Sequence, residues 1–159
     1  MKYGIFVISI FLASCYQMEK EGLGKETCEQ DRTYTMTSSS IPSTGGNFEV
    51  LSIATTYSIS NSNCASLPDV SNASAPTFNV KLDANYFYLS SFTESSLKLQ
   101  FSYTTSGNVD TLTPSNFTVE NSFCKMEYQN FGGSIDYSNG TITLNYHVVY
   151  TNLDNCSAF

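Results

Sequence analysis

The 159-residue chain has no tryptophan, a single histidine and few charged side chains, which make up 13% of its residues. Because His147 alternates with Tyr146 and Val148, we expect it on the solvent face of a strand, where the sequence indicates no catalytic partner for it. The sequence has no Gly-x-Ser-x-Gly motif and no phosphate-binding glycine loop, and its cysteines lack the Cys-x-x-Cys spacing of zinc and thioredoxin-type sites. The sequence therefore predicts no catalytic residue, no metal ligand and no cofactor, which favours a non-enzymatic protein.

Basic side chains are also scarce, with 7 lysines and arginines against 14 aspartates and glutamates and a formal net charge of −7. Binding to the phosphates of nucleic acids depends on clustered Lys and Arg, so this composition argues against a nucleic-acid partner. An acidic surface is also weakly repelled by anionic lipid. Any association with a membrane must therefore come from a separate anchor.

The first fifteen residues have the layout of an export signal. Lys2 precedes the apolar run Ile5–Leu12, which is far shorter than the roughly 20 residues of a membrane-spanning helix. The next residues complete Leu12-Ala13-Ser14-Cys15, which resembles the lipobox of bacterial lipoproteins. This resemblance implies that residues 1–14 are a signal peptide and that Cys15 carries lipid at the cell envelope. Tyr16, in place of an aspartate, further implies the outer membrane.

The number of cysteines supports lipidation over the alternative, an ordinary secretory signal in which a cysteine falls near the cleavage point by chance. The chain has five cysteines: Cys15, Cys28, Cys64, Cys124 and Cys156. If Cys15 carries lipid, an even number remains, which suits two disulfides in an oxidising compartment.

A short polar segment follows the predicted lipid site. Residues 16–27 have mixed charge and no apolar periodicity, so we predict a lipidated tether over residues 15–27 and a single β domain over residues 28–159. Several acidic side chains lie between Glu19 and Asp31. We interpret them as a solvated spacer rather than a metal site.

From Cys28 onward, apolar and polar side chains alternate with a period of two, which predicts half-buried strands. The alternation is clearest in Phe78–Leu82, Leu97–Tyr103 and Ile142–Tyr150, and Phe48–Ile59 has the features of a longer strand. The connections between these runs are too short for parallel crossovers. We therefore predict an all-β antiparallel meander of about eight or nine strands, forming a β-sandwich or a flattened barrel stapled by two disulfides.

Asn139-Gly140 is the strongest turn signal, because Asn-Gly supplies the positive φ angles of a two-residue type I′ turn. Strand pairing outward from this turn predicts that Ser138 lies opposite Thr141. It also brings Cys124 and Cys156 within one residue of register, and Gly132-Gly133 is a site for the bulge that absorbs this difference.

The first predicted hairpin, centred near residue 45, brings Cys28 and Cys64 close to register in the same way. Four cysteines allow three pairings. Register favours the pairs Cys28–Cys64 and Cys124–Cys156.

The 11 tyrosines and 11 phenylalanines are the remaining feature that could bind a partner. In the strand around Tyr86-Phe87-Tyr88, placing Phe87 and Leu89 in the core turns Tyr86 and Tyr88 outward. Paired tyrosines on an outer face can stack on sugar rings or anchor a protein partner. They can also simply cover a sheet, because tyrosine has a polar tip.

The segment from Gly132 to Val148 consists of a glycine bulge, a turn and an Ile-Thr-Leu-x-Tyr-x-Val strand. It resembles the closing hairpin of small uncharacterised bacterial envelope lipoproteins, and this resemblance implies architecture alone. The Gly-x-Trp signature of lipocalin barrels is missing. With the leader, these features suggest a lipid-anchored module that binds a glycan or a protein. The alternatives are an assembly accessory of an envelope complex, and an enzyme inhibitor or small hydrolase.

Overall fold

The computed structural model describes residues 27–64, 77–91, 98–120 and 125–151, and within these ranges every regular element is a β-strand. The strands are β1 (Thr27–Thr37), β2 (Phe48–Ser60), β3 (Thr77–Leu82), β4 (Phe87–Ser91), β5 (Lys98–Phe101), β6 (Tyr103–Ser106), β7 (Val109–Glu120), β8 (Lys125–Asp136) and β9 (Thr141–Thr151). All their pairings are antiparallel. The predicted all-β antiparallel fold is confirmed.

The strands form one nearly closed, barrel-like sheet in the order β5-β4-β3-β2-β1-β9-β8-β7-β6. Closure depends on Ser102, which divides the predicted strand Leu97–Tyr103 into β5 and β6. β5 pairs with β4 and β6 pairs with β7, so one bent segment of chain contributes to both ends of the sheet. The Ser102 carbonyl accepts a hydrogen bond from Thr113 N at 2.8 Å at the point where the partner changes. The structure therefore decides between sandwich and barrel in favour of the barrel.

The interior of the barrel is filled mainly by aromatic and aliphatic side chains. Along β9 every second residue from Ile142 to Tyr150 is buried, as the alternation predicts. Phe131 stacks on Tyr146 with ring centroids 4.6 Å apart, and Phe117 stacks on Tyr128 at the same distance. Much of the high aromatic content is therefore core packing, each ring removing a large apolar area from water.

The first predicted disulfide is confirmed. Cys28 and Cys64 are bonded, with their Cα atoms 4.9 Å apart, and both are buried. The two bonded cysteines are offset by one residue from the β1–β2 register, in which Asp31 pairs with Ser60. Cys124 and Cys156, the second predicted pair, lie outside the described residues.

The predicted turn of the last hairpin is wrong in detail. Asp136 pairs with Thr141, so the turn contains four residues, from Tyr137 to Gly140, and Ser138 does not pair with Thr141. Only Gly140 of the Asn139-Gly140 pair has a positive φ angle, which excludes a type I′ turn. The Asp136 carboxylate instead stabilises a longer turn by accepting hydrogen bonds from the Ser138 backbone N–H and hydroxyl and from the Asn139 amide.

The predicted bulge site at Gly132-Gly133 is wrong, because these glycines pair with Asn145 and Leu144. The bulge in the β8–β9 pairing lies before them, between Gln129 and Gly132, and Asn130 within it has a φ of 53°. Below the bulge Tyr128 pairs with Val148. The observed pairing is shifted by four residues from the pairing that would place Cys124 opposite Cys156. The register argument therefore no longer supports that disulfide.

Candidate functional site

The two tyrosines predicted to face outward lie at the start of β4: Tyr88 is on its outer side and Tyr86 immediately precedes the strand. Phe87 and Leu89 are buried in the core, whereas Tyr86 is exposed and Tyr88 is half-buried. The two tyrosine rings contact each other edge to face, with centroids 6.2 Å apart. Tyr86 and Tyr88 together form the tyrosine pair.

A row of polar side chains crosses the sheet beside the tyrosine pair. Lys81 lies opposite Tyr88 on β3, and Gln100 lies opposite Tyr88 on β5. Glu49 on β2 lies opposite Lys81 and extends the row by one strand. Neighbouring strands are about 4.8 Å apart, so the row of four side chains spans about 14 Å. It supplies donors and acceptors on both sides of the aromatic rings.

Asp83 holds the tyrosine pair in position through the β3–β4 turn. Its carboxylate accepts hydrogen bonds from the backbone N–H groups of Asn85 at 2.8 Å and Tyr86 at 2.9 Å, and these bonds lower the pKa of Asp83. Partial burial and a hydrogen bond to Asp83 raise the pKa of Tyr88, whose hydroxyl stays protonated at neutral pH. Tyr103 donates to the Asp83 backbone carbonyl at 2.8 Å and braces the turn from β6.

His147 lies on the outer side of β9, as predicted, but it has carboxylate neighbours that the sequence did not indicate. Its Nδ1 is 2.8 Å from Asp31 Oδ1 and its Nε2 is 3.5 Å from Glu29 Oε2. Hydrogen bonds from Asn61 and His147 lower the pKa of Asp31. Glu29 and Asp31 therefore belong to β1 and not to a solvated spacer, which corrects the interpretation for these two residues; the acidic side chains before Thr27 lie outside the described residues.

This arrangement does not form a hydrolytic triad. A triad needs a nucleophile hydrogen-bonded to the imidazole nitrogen that the carboxylate leaves open. Here both imidazole nitrogens face carboxylates. Among the described residues, no group of three or more His, Cys, Asp or Glu side chains is arranged to hold a metal ion.

Inside the barrel lies a polar group that sequence reasoning missed. Arg32, the only arginine of the chain, points inward from β1 and is 2% exposed. The Gln30 amide oxygen, in the orientation that gives each donor an acceptor, accepts hydrogen bonds from Arg32 Nη2 at 2.6 Å and Nε at 2.7 Å. Arg32 Nη1 is 3.5 Å from the Tyr34 hydroxyl. The arginine cluster consists of Gln30, Arg32, Tyr34, Tyr146 and Tyr150.

The tyrosines of the arginine cluster are hydrogen-bonded to one another or to Gln30. Tyr146 donates to the Tyr34 hydroxyl at 3.3 Å, and Tyr150 donates to the Gln30 amide oxygen at 3.2 Å. Burial raises the pKa of both Tyr146 and Tyr150, so these two phenols are neutral at physiological pH. Although burial by itself would lower the pKa of Arg32, the surrounding tyrosine oxygens raise it, and the guanidinium stays charged.

Next to the arginine cluster is a small apolar cavity of about 10 Å³. That volume is at the lower limit for holding one water molecule. Its walls are the side chains of Tyr34, Phe78, Leu89, Leu99, Phe117, Tyr128, Phe131 and Tyr146.

The cavity lies behind a part of the barrel wall where two neighbouring strand edges of the described chain are not joined by a ladder. Among the described strands, β5 forms a ladder only with β4, and the half of β7 from Ser115 to Glu120 forms one only with β8. β5 and β7 contact each other, and residues of these two edges line the same cavity. We call this boundary the seam. Leu99 and Phe117, one from each edge, are half-buried and line the cavity.

Cys15, the predicted lipid site, lies outside the described residues. In the part of the chain that the structure describes, no helix is long and apolar enough to cross a membrane. The chain matches no protein-family model, no curated protein and no solved structure.

Proposed function

We propose that this chain is a lipid-anchored, non-enzymatic binding module of the cell envelope that recognises a glycan through the tyrosine pair. The observation that carries the proposal is the ring contact between Tyr86, just before β4, and Tyr88, which lies on the outer side of β4 within a polar row. The Leu12-Ala13-Ser14-Cys15 sequence and the Cys28–Cys64 disulfide support an anchored protein in an oxidising compartment, with the outer membrane as its proposed location.

The surroundings of the tyrosine pair favour a sugar over a protein surface. Protein hot spots are desolvated aromatic anchors within a larger apolar contact. Among the described residues, Leu51 and Tyr86 are the exposed large hydrophobic side chains, which is a small apolar area. A sugar ring needs one aromatic surface together with nearby donors and acceptors, and Lys81 and Gln100 stand on either side of Tyr88.

The ligand is tested with the full-length chain in a neutral detergent on a glycan array that includes envelope and host polysaccharides. We expect binding that is lost in the variant Tyr86→Ala/Tyr88→Ala. Leu51→Ala is the matched control, because it removes another exposed hydrophobic side chain and should leave binding unchanged. An array without signal, or equal signal from both variants, would refute glycan binding. Co-purification of a stoichiometric envelope protein in that case would favour the accessory role.

The anchor is tested separately by mass spectrometry of the protein isolated from membranes. Lipid on Cys15 predicts a mature chain that begins at this residue, with acyl groups on it. The variant Cys15→Ser should be released from the membrane fraction. An unmodified Cys15 in the membrane-bound wild type would refute the lipoprotein assignment.

A further inference from the structure

Arg32 carries a buried positive charge that no described carboxylate balances. Its described contacts are with Gln30 and with tyrosines, and burial keeps Tyr146 and Tyr150 neutral. Asp110, the other buried charged residue among those that the structure describes, bonds to Tyr137 beside the β6–β7 turn and not to Arg32. Burying an ion without a counter-ion is costly, so the site gains stability from any anion that reaches it.

The guanidinium has donors available for such an anion. Gln30 occupies the edge formed by Nε and Nη2, and one further N–H of Nη1 points toward the Tyr34 hydroxyl. Arginine has five N–H donors, so one proton on each Nη atom is not used by these contacts within the described ranges and faces any ligand oxygen that enters. A carboxylate fits that end of the guanidinium because its two oxygens match the spacing of the two nitrogens.

The apolar cavity begins where the arginine cluster ends. Tyr34 and Tyr146 belong to both, because their hydroxyls lie in the cluster and their rings line the cavity. A ligand held here would therefore meet a cationic, hydrogen-bonding group at one end and aromatic and aliphatic carbon along its length. Side chains at the seam can be displaced by such a ligand, because no ladder joins β5 to Ser115–Glu120 within the described chain.

We propose that the barrel binds an amphipathic carboxylate, with its headgroup on Arg32 and its apolar chain between the rings of the cavity after displacement of Leu99 and Phe117 at the seam. The cavity of about 10 Å³ is the closed, ligand-free form of this site. The site lies inside the barrel and is independent of the tyrosine pair, so either can fail without affecting the other.

Photocrosslinking of the full-length chain in its own membranes tests the proposal. The probe is a dodecanoate with a diazirine in its chain, and the matched neutral probe is the corresponding dodecanol. We expect the carboxylate to label the β5 and β7 peptides about tenfold or more above the alcohol, the ratio expected for a hydrogen-bonded charge. Excess dodecanoate should abolish the labelling, and acetate at the same concentration should not.

Two variants locate the headgroup site. Arg32→Met keeps a long apolar side chain and should lower the labelling to that of the alcohol probe. Lys125→Met removes a partly exposed positive charge that pairs with Glu127 and is the matched control, with labelling unchanged. Retention of the Cys28–Cys64 disulfide, read from peptide mapping, establishes that each variant has folded.

The comparison of the dodecanoate and dodecanol probes on the wild-type chain tests the proposal even if Arg32→Met fails to fold. Equal labelling by the two probes, or no labelling of β5 and β7 by either, overturns the proposal. Competition by acetate as strong as that by dodecanoate also overturns it, because the apolar chain would then contribute nothing. Full labelling in a folded Arg32→Met variant has the same consequence.

Discussion

Removal of the Cys28–Cys64 disulfide is expected to cost a large share of the stability of the barrel. The bond closes a loop with a sequence separation of 36 residues. In the chain-entropy model, a loop of that size restricts the unfolded chain by about 4 kcal/mol at 25 °C. Domains of this kind have a total stability of about 5–15 kcal/mol. The variant Cys28→Ala/Cys64→Ala should therefore remain folded but denature at a much lower urea concentration.

The measurement is equilibrium unfolding in urea, followed by circular dichroism without reductant. We expect the extrapolated free energy of unfolding to fall by about 4 kcal/mol and the denaturant slope to rise, because the open chain exposes more surface when unfolded. Cys28→Ala alone should behave almost identically, since one missing sulfur opens the same loop. A loss below about 1 kcal/mol, or unequal single and double variants, would refute the loop argument.

The same experiment examines the predicted Cys124–Cys156 disulfide. Dithiothreitol opens every disulfide of the wild type, whereas the double alanine variant lacks only Cys28–Cys64. If a second bond exists, the reduced wild type should be less stable than the unreduced variant by about another 4 kcal/mol, because the second loop is of similar length. Equal stabilities would mean that Cys124 and Cys156 are not bonded to each other.

Three further predictions concern single residues. Gly133→Ala should destabilise the protein by at least about 3 kcal/mol in urea unfolding, since an added Cβ would lie 1.9 Å from the Thr143 carbonyl oxygen at a φ of 155°; a loss below about 1 kcal/mol would contradict this. Because the pKa of Asp31 is lower in the folded state, its ion contributes stability above pH 4 that is lost as the pH falls through the folded-state pKa. The urea midpoint of Asp31→Asn should therefore change less than that of the wild type between pH 6 and pH 3, and parallel curves would contradict this. Tyr137→Phe should cost about 1–3 kcal/mol, because Asp110 Oδ2 loses its hydrogen bond while Oδ1 has no partner among the described residues; Asp110→Asn in the Tyr137→Phe background should recover part of this loss.

Periodicity and register correctly predicted several features of the fold. The alternation along β9 predicted each buried position from Ile142 to Tyr150, because a strand against a core has an inward and an outward face. The same rule placed Tyr88 on the outer side of β4 and Tyr86, just before the strand, on the exposed side. The long β1–β2 hairpin has a regular register between Asp31 and Met36, and this is why the Cys28–Cys64 prediction succeeded.

The last hairpin shows why a local turn signal is weaker evidence. Asn-Gly favours a two-residue turn, but the Asp136 carboxylate stabilises a four-residue turn through hydrogen bonds to Ser138 and Asn139. The positions of Gly133 and of the bulge near Asn130 are then set by the partner strand, which no local sequence pattern specifies.

The sequence by itself determined the all-β class, the inward and outward faces of the strands with clear alternation, such as β9, and one disulfide, because these depend on contacts along a strand or across a hairpin. Only the tertiary structure decided that the sheet curves into a barrel, since the bend at Ser102 sends β5 and β6 to opposite ends of the sheet while β1 and β9 pair in its middle across 116 residues of sequence, as between Asp31 and His147. That closure turns Arg32 from one inward position in an alternating strand into a buried charge surrounded by tyrosines. Its neighbours come from β1 and β9, which pair with each other although they lie at opposite ends of the described chain, and this neighbourhood exists only after the two strands have been brought together.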